Sequence, residues 1–189
     1  MTVALESTFR GLCDQFKRLQ DNLKALYLTV AEDKPLSGEA ALVDCLEETV
    51  METMGLLDGC LSCSHSAQKS VAQPDLDRAR RALNKCQEHF HKAERQFSDE
   101  LVSYEKLRHL ASIGGRRGKE WASWAGSVKY GMEQCKEPFD ESSKALAACW
   151  QELAEHSGNT SIVVNSRSLG QKINVNGLSN ADVVSTSAS

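Results

Sequence analysis

At 189 residues the chain is long enough to bury a core without disulfide or metal staples, and one core plus a tail is the simplest division. A composition with 41% hydrophobic and 25% charged residues is that of an ordinary folded protein, which excludes general disorder. The formal net charge of −4, with acids and bases mixed along the chain, excludes a strong global field that would recruit nucleic acid or an anionic membrane.

Phe9, Leu12, Phe16, Leu19, Leu23, Leu26 and Val30 follow one another at alternating spacings of three and four residues, an unbroken heptad seam. Arg10, Asp14, Lys17, Arg18, Asp21 and Lys24 fall between them and put charge on the opposite face. The spacing predicts a helix over about 3–31, stopped by Asp33-Lys34-Pro35 because proline lacks the amide donor and disfavours helix in the residue before it.

A second helix is expected over 37–71, with Ser37 as N-cap and Glu39 near the positive end of the dipole. Leu42, Leu46, Val50, Met54, Leu57 and Leu61 supply its apolar face. Gly55 and Gly59 lie four apart on one flank. They either permit close backbone approach or weaken the helix by about 1 kcal/mol each relative to alanine.

Gln73-Pro74-Asp75 starts a third helix, with proline at a first helical position and Asp75 in the N-terminal turn. Leu76, Leu83, Cys86, Phe90, Ala93, Phe97, Leu101, Tyr104 and Leu107 carry its pattern until Gly114-Gly115. That predicts a helix over 74–113, roughly 60 Å long. A fourth runs over 119–157 on Trp121, Trp124, Val128, Met132, Cys135, Phe139, Leu146, Cys149 or Trp150, and Leu153, ending at Gly158. Pro138 falls inside it, which predicts a kink or a break into two helices.

The fold class expected is therefore all-α: a long antiparallel, up-down bundle of about four helices with coiled-coil-like seams, occupying 1–158. An extended pair of hairpins is the alternative arrangement. Helices three and four outrun the first two, so part of their seam is expected to project as an oligomerisation surface.

Composition changes after Gly158. From Ser157 to Ser189 there are eight serines, five asparagines and no aromatic residue. Within this 159–189 tail, Ser161–Val164 and Lys172–Asn176 read as two short β-strands around a Ser/Gly-containing turn. An isolated hairpin is marginal in water, so the tail is expected either to stay disordered or to add strands to a partner's sheet.

Charges throughout the first thirty residues leave no signal-peptide region, and no apolar run reaches the length of a membrane span. Seven cysteines, an odd number set mostly among apolar neighbours, read as reduced thiols in a cytoplasmic compartment. Asn159-Thr160-Ser161 has the form of a glycosylation acceptor, but nothing else in the sequence points to export.

Motifs with chemical potential are sparse. Cys60-Leu61-Ser62-Cys63, His65 and the Cys86/His89 pair have metal-like spacings without a second paired-cysteine motif, and core cysteines explain them better. Glu88 and His91 form a single Glu-x-x-His pair, where a carboxylate-bridged dimetal bundle needs two. No nucleophile elbow or Walker loop appears. Arg116, Arg117 and Lys119 lie near the start of helix four, where an anion could dock on free amides, although a solvated turn is the plainer reading. Arg78, Arg80, Arg81 and Lys85 form a second basic stretch, but Asp75, Asp77 and Glu88 flank it, and aromatic platforms for bases are missing.

The sequence thus points to a non-enzymatic, cytoplasmic helical scaffold or adaptor. Its partners would be proteins, including a second copy of itself, with no nucleic acid, membrane or cofactor. Trp121 and Trp124 are candidate interface anchors if they are not core; Ile162, Val164, Ile173 and Val175 are candidates for strand addition. The alternative is a four-helix bundle that binds a metal or a small anionic ligand.

Overall fold

The heptad seam of the first helix is fully used. In a computed structural model describing residues 3–32, 40–73, 75–111, 116–157, 165–168 and 171–174, α1 spans Val3–Glu32. All seven predicted seam residues, with Leu5 and Cys13, are buried. The remaining elements are α2 (Ala40–Ala72), α3 (Leu76–Ala111), α4 (Arg116–His156), β1 (Asn165–Ser168) and β2 (Gln171–Asn174). The predicted cap Ser37 and the stop at Gly158 lie outside the described residues.

Each helix packs on two others: α1 on α2 and α4, and α3 on α2 and α4. Cross-links between them fix the directions. Arg18 meets Glu137 and Asn22 meets Gln134, while Cys13 meets Ser64 and Tyr27 meets Glu47. In both sets rising numbers on one helix meet falling numbers on the other. Gly59 against His89, the Cys60/Cys86 pair and Gln96 against Glu52 repeat the pattern between α2 and α3. The protein is an all-α, up-down-up-down four-helix bundle.

Its centre is aromatic. Phe90 lies 5.5 Å from Phe16 and 6.0 Å from Phe139 between ring centroids, and Phe139 stacks on Phe97 at 4.7 Å. Rings from α1, α3 and α4 thus interlock at mid-bundle, where offset and tilted pairs add to the burial of large apolar area.

The seam of α2 differs from the one read in sequence. Val43, Leu46, Val50, Thr53, Leu57, Cys60, Ser64, Ala67 and Val71 are buried, a three-four repeat throughout, whereas Met54 and Leu61 only flank the core. The two hydroxyl residues fit because each satisfies itself within the helix: Thr53 Oγ1 donates to Thr49 O at 3.0 Å and Ser64 Oγ to Leu61 O at 2.9 Å. Such back-bonding lets a short polar side chain sit in a core without an orphaned group.

The third helix begins two residues later than predicted. Asp75 is its N-cap, with Oδ1 accepting the Arg78 amide at 2.9 Å, a donor that has no partner within the helix. α4 is a single helix through Pro138, so the expected break does not occur. Proline deprives the carbonyl four residues back of its amide donor. That carbonyl, Gln134 O, accepts instead from Asn22 Nδ2 on α1 at 2.7 Å.

The glycines of α2 separate. A Cβ on Gly59 would stand 3.1 Å from the His89 ring, so α3 does approach closely there; at Gly55 nothing lies within 4 Å.

Candidate functional site

Two kinds of feature bear on function: the C-terminal hairpin and the groups the sequence singled out on the helices. β1 and β2 pair antiparallel in the register Asn165↔Asn174 to Ser168↔Gln171, leaving Leu169 and Gly170 between them, and β1 lies beside α4. A hairpin is present, and the first strand expected over 161–164 lies outside the described residues. Asn165–Ser168, read as turn, are β1. Ile173 stands in β2 opposite Ser166. Ile162, Val164 and Val175 lie outside the described residues. Among the described residues this sheet has two strands, so the outer backbone groups of both have no strand beside them.

Trp121 and Trp124 belong to the bundle core. They are 7% and 3% exposed and meet edge to face at 5.5 Å between centroids. Tyr104 at the same end is buried, its hydroxyl donating to Ala125 O at 2.9 Å. The longer ends of α3 and α4 therefore close on one another here, and the tryptophans are not a free anchor on the outside of this chain. Arg116, Arg117 and Lys119 all fall in the first turn of α4; Lys119 is exposed, and the side chains of the two arginines lie outside the described set.

The metal-like spacings do not assemble: among the described residues no group of three or more His, Cys, Asp or Glu side chains could hold an ion. His91 instead bridges Glu94 and Gln87 on its own helix. Its Nδ1 is 3.2 Å from Glu94 Oε2 and its Nε2 is 3.2 Å from Gln87 Nε2, a pattern met by a tautomer with the proton on Nδ1. Glu94 is buried, and this ladder is what compensates it. The partner of His91 is thus Glu94, not the Glu88 that spacing suggested.

Cys60 and Cys63 differ in their surroundings. Cys60 faces Cys86 across the α2–α3 seam, Cys63 is half-buried, and Cys13 donates to Ser64 Oγ at 3.3 Å. Burial holds the Cys13 and Cys149 thiols above their ordinary range. The Cys60 side chain, and then burial, do the same to Cys86. These are inert thiols in their ground state, since the thiolate is the reactive form. The sequence reading of core cysteines agrees with their burial, but which thiols face one another depends on packing that spacing does not show.

The outer faces mix charge: on α3, Asp77, Glu88 and Asp99 are exposed beside its bases. Arg78, Arg81, Lys85, Lys92 and Arg95 are exposed along α3 and form no ion pair with another described residue. Asp44, Glu48, Glu52 and Asp58 are exposed along α2. Arg80 differs from its neighbours: its Nη2 donates to Ser157 Oγ at 2.9 Å and ties the start of α3 to the end of α4. No described helix is long and apolar enough to cross a membrane. A scan against protein-family models finds no match to this chain, and a search of curated proteins finds none either.

Proposed function

We propose that this protein is a non-catalytic scaffold or adaptor: a rigid helical rod that presents charged outer faces to protein partners, including a second copy of itself, and docks a partner's sheet through its C-terminal hairpin. The observation that carries the reading is the two-stranded hairpin set beside α4 with both outer edges unpaired among the described residues. Such a hairpin has little stability alone, and adding a strand from another chain supplies the missing backbone hydrogen bonds. Support also comes from the use of all four apolar seams in one core, which leaves the polar outer faces and the tail as the contact surfaces.

The test compares the full chain with residues 1–158 in affinity purification from the native cell followed by mass spectrometry. Helicity at 222 nm should be equal in the two, and partner recovery should be lost from the shorter one. Ile173→Pro, which removes a strand amide without shortening the chain, should reproduce the loss. Equal recovery by all three proteins refutes the tail's role. Sedimentation equilibrium tests the self-association arm, and a monomer at all concentrations removes it.

A further inference from the structure

The cysteine that the fold brings to Cys60 comes from the neighbouring helix. Cys60 Sγ points at Cys86 O at 3.6 Å, and Cys86 Sγ points at Cys60 O at 3.5 Å. Each sulfur therefore lies against the other residue's backbone. Both residues are fully buried, and α3 approaches α2 closely one residue away, at Gly59. Disulfides need Cα atoms about 4.4–6.8 Å apart and Cβ vectors that converge. Reciprocal sulfur–backbone contact across a close seam sets the two thiols side by side on facing helices.

We propose that Cys60 and Cys86 are a modification site: a buried dithiol that a two-electron oxidant converts into a disulfide stapling α2 to α3. With an azo oxidant such as diamide, one thiolate adds to the N=N bond and forms an S–N adduct. The second thiolate attacks that sulfur; the S–S bond forms, the S–N bond breaks, and the nitrogen pair leaves as a hydrazine carrying both protons. The two sulfurs together lose two electrons and the azo group gains them. Because the thiols are buried, reaction waits on local opening of the α2–α3 seam, and the bond then locks the reclosed pair. Cys63, half-buried on the same helix, is the competing partner.

The experiment treats the full chain with diamide in buffer and in sub-denaturing urea, then alkylates the remaining thiols under denaturing conditions and maps the products by mass spectrometry. Two of the seven thiols should escape alkylation, with a mass loss of about 2 Da for the lost hydrogens. Fragmentation should join Cys60 to Cys86, and the product should form faster in urea. Cys63→Ser should keep the link and Cys86→Ala should abolish it. Thermal unfolding of the oxidised chain should shift upward by about 5 °C or more and return with dithiothreitol. Full alkylation after treatment in urea, a link through Cys63, or a link between two chains would overturn the proposal, and none of these readings depends on a variant folding.

Discussion

The contact between Asn22 and the carbonyl released by Pro138 makes a prediction with a change of sign in it. Proline inside a helix costs about 3 kcal/mol relative to alanine, and the Asn22 bond to Gln134 O returns about 1 kcal/mol of that. Pro138 is buried, so truncating its ring to alanine also forfeits about 0.8 kcal/mol for each of two methylenes. Pro138→Ala alone should then stabilise the bundle by only about 0.5 kcal/mol. Asn22→Ala alone should destabilise it by a similar amount, losing the bond but gaining about 0.6 kcal/mol of helix propensity. In the Pro138→Ala background the carbonyl regains its own amide donor, so Asn22→Ala should become stabilising. Urea unfolding followed at 222 nm on the four proteins of this cycle gives a coupling of about 1 kcal/mol if the account holds. Asn22→Ala having the same sign in both backgrounds would refute it.

Other substitutions probe the core and the seam between α2 and α3. Gly55→Ala should gain about 1 kcal/mol of stability; Gly59→Ala should gain less, because the His89 ring must give way, and His89→Ala should restore the difference. Phe139→Ala removes the ring that touches both Phe90 and Phe97 and should cost about 3–5 kcal/mol in chemical denaturation. Ser142 is fully buried and its Oγ has no hydrogen-bond partner among the described residues, so Ser142→Ala should be neutral or stabilising by about 1 kcal/mol, where a large loss would reveal a bonded hydroxyl. The raised thiols of Cys13, Cys86 and Cys149 bind more protons in the folded state than in the unfolded one once pH passes their ordinary value of 9.0. Their stabilisation is complete below that pH and falls above it by about 1.4 kcal/mol per pH unit for each thiol. Alkaline melting curves should flatten in Cys149→Ala, and a stability unchanged between neutral pH and about pH 10 would contradict the assignment.

What could be read from sequence was the fold and most of its faces. The α1 seam, from Phe9 to Val30, and the α4 seam, from Trp121 to Leu153, needed only the three-four repeat of large apolar residues, which burial alone dictates. The reading slipped where small or polar residues carry the seam. On α2 it followed Met54 and Leu61, although Thr53, Cys60 and Ser64 are the buried positions, because a hydroxyl that bonds its own helix costs little and leaves no apolar mark. The continuity of α4 through Pro138 depends on Asn22, which is 112 residues from the carbonyl it serves, and local spacing holds no trace of it. Hydrophobicity alone does not say whether a tryptophan pair faces its own bundle or another chain, and the strand expected at Ile162 and Val164 lies outside the described residues.

The order of packing around the bundle bears on how it assembles. Links between α2 and α3 join residues 26 to 44 positions apart, whereas those closing α1 onto α4 span 112 to 141. Loop closure over such distances comes late and slowly. The central hairpin can therefore form while the first and last helices are still searching, and in a crowded solution an unclosed α1 can seat itself on the hairpin of a neighbour, exchanging identical helices between chains.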